Sequence, residues 1–235
     1  MVYGIIKLIN FAHGEIYMIG AFTALIVASV LAMTTTPIIA IFVIATLVAA
    51  LFSVGYGFTM EKIAYKPLRK SQRLSALISA VGMSFFLQNY VLLAQTSNFL
   101  PFPRLIPKMG FFEESGLLST SQFVILATTA VVMVLLWMLI KHTKMGKSMR
   151  ATSQDKMMAQ LVGINVNRVI SFTFVIGSAT AALGGVLISS HIGQINYYIG
   201  FIAGIKAFVA AVLGGIGSIP GAVLGSFVLG LTEAF

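Results

Sequence analysis

Residues 204–230 read GIKAFVAAVLGGIGSIPGAVLGSFVLG. A membrane-crossing helix takes roughly 20 apolar residues, and this run has the length and composition for one. Yet Gly214, Gly215, Gly217, Pro220 and Gly221 fall in its middle. A continuous helix does not pass easily through such a cluster, because glycine weakens a helix and proline removes one of its hydrogen bonds. The first half, 204–213, is about 15 Å long at 1.5 Å per residue, half a bilayer. A broken or re-entrant helix fits, since irregular backbone at depth is tolerated only where protein covers it or it lines a cavity. Lys206 near its start has to snorkel or pair. Gly217, Gly221 and Gly225 also recur at every fourth position, the spacing of closely packed membrane helices.

The rest of the chain agrees with a membrane reading. Of its 235 residues, 58% are hydrophobic and 9% charged, against about 25% charged in soluble domains. A soluble fold of this length could not cover its surface with so few charges. Disorder is excluded as well, because disordered chains are poor in apolar residues. Six apolar stretches, 15–33, 37–60, 74–95, 117–140, 169–190 and 204–231, take up most of the sequence. The expected fold is an all-α, polytopic transmembrane helical bundle with broken or re-entrant helices, forming one domain over 1–235. No stretch is left for a soluble catalytic domain. The first segment is no signal peptide, because Lys7, Asn10, His13 and Glu15 interrupt its apolar run. There is no Cys, which excludes disulfides and thiolate metal sites. His13, His142 and His191 are scattered and no nucleophile and base pair forms a motif, so no metal site or cofactor is expected and a membrane enzyme would need distant residues to converge in the fold.

The net charge of +9 is placed unevenly. Lys62, Lys66, Arg69, Lys70 and Arg73 crowd the link after the second span. Lys141, Lys144, Lys147, Arg150, Lys156 and Arg168 fill the link between the fourth and fifth. The positive-inside rule puts links 61–73 and 141–168 in the cytoplasm, and two spans separate them, which is self-consistent. The charge therefore reports topology rather than nucleic-acid binding. The link at 96–116 sets Arg104 and Lys108 against Glu113 and Glu114 and carries Pro101, Pro103 and Pro107. It is expected to be extended and outside.

Link 141–168 reads KHTKMGKSMRATSQDKMMAQLVGINVNR. Ala151, Asp155, Met158, Leu161 and Val162 fall near helical spacing, so part of one face is apolar. Gly163 is a natural helix stop. The pattern predicts a short surface helix, a turn at 163–165 and entry to the next span. Such a helix suits a groove on a soluble partner, or the membrane surface. Gly146-Lys147-Ser148 imitates the end of a phosphate-binding loop, but the glycine required five residues earlier is Lys141. ATP binding by this chain is rejected.

Residues 9–20 read INFAHGEIYMIG. Asn10, His13 and Glu15 are polar groups beside an apolar run, with Gly14 weakening the helix between them. Ionisable groups in membrane segments usually face a bundle interior or water; the alternative is a place at the interface. Interrupted segments near both ends of a chain point to a transport pathway, here through Asn10, His13, Glu15, Gly214, Gly215, Gly217 and Pro220.

Three stretches together resemble the LivH-type permease family of branched-chain amino acid ABC importers: INFAHGEIYMIGAF, GKSMRATSQDKMMAQLVGINVNRVISFTFVIGSATAALGGVL, and INYYIGFIAGIKAFVAAVLGGIGSIPGAVLGSFVLGLTEA. The second stretch, with Gly146, Arg150, Ala151, Asp155, Ala159 and Gly163, resembles the family's ATPase-coupling loop. The resemblance implies a plasma (inner) membrane subunit that forms the pathway for branched-chain amino acids. It implies a second homologous permease, two cytoplasmic ATP-binding subunits and an extracytoplasmic substrate-binding protein as partners. Permeases for urea or short amides are similar, and a passive pore would fit the broken helices equally well. Members of the family usually begin with a further hydrophobic segment before the FAHGE motif and continue past the position of Glu233. Met1-Val2-Tyr3-Gly4 resembles an internal stretch, so the resemblance implies a piece shortened at both ends.

Overall fold

The computed structural model describes residues 10–107, 119–215 and 217–234. Lys7, Lys108, Glu113 and Glu114, on which parts of the charge reading rest, lie outside the described residues. Among the described residues, five helices have the length and apolar character to cross a membrane. They are α1 (His13–Leu31), α2 (Ile38–Met60, extended by a π-helical turn Glu61–Tyr65), α3 (Arg73–Ala94), α4 (Thr120–His142) and α7 (Val166–Ile192). Two shorter helices, α5 (Lys144–Gln154) and α6 (Lys156–Leu161), fill the basic link between α4 and α7. The last apolar run is two helices, α8 (Ile199–Leu213) and α9 (Ile219–Ala234).

Helices α1, α2 and α7 form the centre. Along α2, Ala45, Ala49, Ser53 and Gly57 are buried one turn apart, a small-residue stripe that lets neighbouring backbones come close. Gly20 of α1 faces Ala182 of α7, and Gly185 of α7 faces the backbone of Tyr17. A methyl group at any of these glycines would run into the neighbour. Outward-facing residues are large and apolar, Leu51 and Leu135 among them, as lipid contact requires. Of the described residues of α4, only Thr120 is buried, so α4 stands at the rim of the bundle.

The two basic links meet at one end, where Arg69 donates a hydrogen bond to Asn167. At the other end a short antiparallel ladder pairs Leu100 with Ile195 and Pro101 with Gln194. The amide of Phe102 donates to Gly193 O at 2.9 Å, and that of Leu105 to Ser190 Oγ at 3.0 Å. The proline-rich link is extended over its described residues, as its sequence indicated, but it is not wholly the surface segment expected, because Phe102 and Leu105 are buried in the core.

The last apolar run turns back rather than crossing straight through. A Cβ on Gly214 would meet Gly221, one on Gly225 would meet Ala210, and Lys206 binds Glu233 at 2.8 Å. These pairings make α8 and α9 an antiparallel hairpin. Lys206 thus pairs, as expected of a cation in an apolar run. Two expectations need correction. The first half begins at Ile199 rather than 204. Gly217 has φ +97° and lies before α9, so it bends the chain while Gly221 and Gly225 do the close packing.

Candidate functional site

Glu15 lies in the first turn of α1 and is completely buried. Ser84 Oγ and Gln88 Nε2, both from α3, donate to its Oε1 at 2.8 Å each. Both residues lie inside α3 (Arg73–Ala94) rather than at its ends, so the carboxylate is held against the body of that helix. Its other oxygen, Oε2, has no hydrogen-bond partner among the described residues, and neither do Asn10 Nδ2 or His13 Nδ1. Helix α8 covers this place. Gly14 meets Gly200 and Gly204 backbone to backbone, and a Cβ on Gly200 would lie 2.5 Å from Glu15 Oε2. Gly14 is therefore a seam for α8 rather than a break: α1 begins at His13, whose amide donates to Asn10 O at 3.2 Å.

The hairpin turn lies elsewhere. Gly200 is beside Glu15, but Gly214 is fourteen positions further on, roughly 21 Å along the helix axis. The structure thus groups Asn10, His13 and Glu15 at one end of α8 and Gly214, Gly215, Gly217 and Pro220 at the other. Gly215 and Gly217 both have positive φ. Pro220 lies in the first turn of α9, where its missing N–H costs nothing.

A second polar cluster closes α2. The π turn places Glu61, Ala64 and Tyr65 inward together. Glu61 is fully buried and accepts from Arg69 and from Ser171 Oγ, the latter at 2.8 Å. Burial lowers the pKa of the Arg69 guanidinium, and the neighbouring Glu61 carboxylate offsets part of that shift. Tyr65 donates to Asn10 Oδ1 and packs against Phe174 with the rings tilted by 44° and their centroids 5.4 Å apart.

The elbow between α4 and α7 is built by the residues the sequence singled out, mostly through turn geometry. Gly146 packs against the carbonyls of Leu139 and Ile140. Thr143 Oγ1 accepts the Gly146 amide at 2.9 Å. The glycine of the GKS triplet therefore serves a tight helix–helix joint. Arg150 donates to Ile140 O, covering a carbonyl at the end of α4. Asp155 leaves the helical conformation, with φ −147° and ψ 116°, and caps α6 by accepting from Met157 and Met158 amides at 2.7 and 3.1 Å. The expected single helix is thus two, and Ala151 does not share a face with Met158 and Leu161. Ala151 packs toward the core and Ala159 is buried. Gly163 turns the chain at φ +83°, and Asn165 caps α7 by accepting the Arg168 amide at 3.1 Å. The exposed apolar surface of the elbow is Met157, Met158, Leu161 and Val162, each at least 60% exposed.

Sequence reading missed Ser84, Gln88, Gly200 and the Glu61–Arg69 pair. A signal was present for some of them. Ser84 and Gln88 are polar residues one turn apart in an apolar span, and Glu61 is the one acid in the basic link 61–73.

The profile of the family described as "Branched-chain amino acid transport system / permease component" matches residues 1–235. The high-affinity branched-chain amino acid transport system permease protein LivH of Escherichia coli K12 is 49% identical over 239 residues, covering 100% of this chain and 78% of LivH. The corresponding protein BraD of Pseudomonas aeruginosa is 48% identical, again over 100% of this chain and 78% of its own. More distantly, the ribose import permease RbsC of Haemophilus influenzae is 26% identical over 43% of this chain and 33% of RbsC. No solved structure matches. With a family match along its whole length and nearly half of its residues shared with LivH and BraD, this chain belongs to the branched-chain amino acid transport permease family.

Proposed function

We propose that this chain is a permease subunit of an ATP-driven importer and forms part of the pathway for branched-chain amino acids. The observation that carries the reading is the identity of 48–49% along the full chain to LivH and BraD, permease proteins of high-affinity branched-chain amino acid transport systems. Links 61–73 and 141–168 face the cytoplasm of the plasma (inner) membrane; their basic charge and their meeting at one end of the bundle support this. The exposed apolar face of α6 docks on an ATP-binding subunit. The turns built by Gly146, Arg150, Ala151, Asp155, Ala159 and Gly163 carry the motion of that subunit into α7. Asn10, His13 and Glu15 line the pathway, and the α8–α9 turn at Gly214, Gly215, Gly217 and Pro220 lets the hairpin move. A second homologous permease and an extracytoplasmic substrate-binding protein complete the importer.

The test is co-expression with the candidate partners, purification of the complex, and leucine uptake into proteoliposomes. Uptake that needs ATP and a loaded binding protein is the expected result. Leucine uptake by this chain without ATPase subunits would instead establish a passive facilitator.

A further inference from the structure

We propose that Glu15 is the group that takes the ammonium of the translocated amino acid, and that α8 is the cover that moves to expose it. The inference rests on the importer reading above. Three observations support it.

The first is the unbalanced carboxylate. Both donors, Ser84 and Gln88, go to Oε1 and leave Oε2 unpartnered inside the protein. Among the described residues no Lys or Arg forms an ion pair with it. Orphaned buried acceptors are costly and rare, and an ionisable group fully buried among apolar spans marks a functional site by default. The two donors lock the carboxylate in one orientation, so Oε2 is a prepositioned acceptor. A primary ammonium is a donor-only cation and forms a strong charge-assisted hydrogen bond with such an oxygen.

The second is the nature of the cover. Oε2 is shut in by Gly200, and the seam continues through Gly14 and Gly204. None of the three carries a side chain, so along this seam α8 slides from α1 without unlocking interdigitated groups; beyond it the ring contact of Phe11 with Phe208, centroids 5.9 Å apart, has to part. The third is that glycines with positive φ flank this helix: Gly193 before it, and Gly215 and Gly217 after it. Such glycines absorb backbone rotation at little cost. Displacing α8 opens Glu15; Asn10 Nδ2 and His13 Nδ1, just before it in the chain, are likewise buried and unpartnered.

The test uses the assembled importer in proteoliposomes. E15Q keeps the size and an acceptor for Ser84 and Gln88 but loses the charge. Leucine uptake is expected to fall about tenfold or more, the loss set by one charge-assisted hydrogen bond. ATP hydrolysis stimulated by the loaded binding protein is expected to persist. A second measurement uses the absence of Cys in this chain. S84C places a thiol beside Glu15, and modification by a cationic methanethiosulfonate is read by mass spectrometry of this chain. Labelling is expected during ATP turnover, to slow with saturating leucine, and to lose that protection when E15Q is added. E15Q uptake within twofold of the parent, or equal protection with and without Glu15, overturns the proposal. If the parent complex itself takes up no leucine, the importer reading falls, and this inference with it.

Discussion

Arg69, from the link that follows α2, donates to Asn167 in the first turn of α7. One guanidinium thereby ties the only stretch between α2 and α3 to the helix that leaves the elbow. The same guanidinium satisfies Glu61, which is buried at the π turn. Removing one partner of a buried ion pair leaves the other charge uncompensated and costs about 3–5 kcal/mol. R69M should therefore lower the unfolding free energy of the purified protein by about that much. The double variant E61L/R69M should recover most of the loss, because a pair replaced by apolar groups is often neutral. Equal melting of R69M and the parent would show that Glu61 does not depend on this partner.

Glycines in the bundle fall into two groups that a melting series should separate. A Cβ on Gly14 collides with backbone atoms of Gly200 and Gly204, which cannot swing aside. G14A should destabilise by about 1–3 kcal/mol, the usual cost of overpacking. Nothing lies within 4 Å of a Cβ on Gly82 of α3. G82A should be neutral or stabilise by about 0.5–1 kcal/mol, since alanine has the better helix propensity. If both changes behave alike in thermal unfolding, the seam between α1 and α8 is looser than described.

This contrast also shows what was legible in the chain. Hydropathy alone located five spans and a break in the last apolar run, because burial in lipid demands long uncharged stretches. It did not tell which glycine of an i+4 series packs and which bends: Gly217, Gly221 and Gly225 look equivalent in sequence, and only the backbone angle at Gly217 separates them. Glu15 stood out as an ionisable residue, but its partners Ser84 and Gln88 lie on another helix, and no local periodicity connects them. Asp155 was placed on a helical face, yet its short carboxylate caps better than it continues a helix. The cap split the predicted surface helix in two.

The split has a consequence for docking. Met158 and Leu161 are 60% and 73% exposed on α6, so charged replacements there bury no charge in this chain. M158D and L161D should leave folding within about 0.5 kcal/mol of the parent. Under the importer reading they should remove most of the ATP-binding subunit from the co-purified complex, because an aspartate would enter an apolar groove. Retention of that subunit at parental stoichiometry would assign α6 to the membrane surface instead.

Asp155 and Gly163 allow geometry to be separated from charge. D155A removes the acceptor for two amides and should cost α6 about 1 kcal/mol, whereas asparagine caps as well as aspartate. Leucine uptake should therefore fall in D155A and stay near parental in D155N. At Gly163, φ is +83°, and alanine in the left-handed region costs about 1–2 kcal/mol. G163A should reduce uptake and ATPase coupling while leaving membrane insertion intact, since nothing lies within 4 Å of its Cβ. Loss of uptake in D155N to the same degree as in D155A would mean that the Asp155 charge, rather than its cap, is what the partner reads.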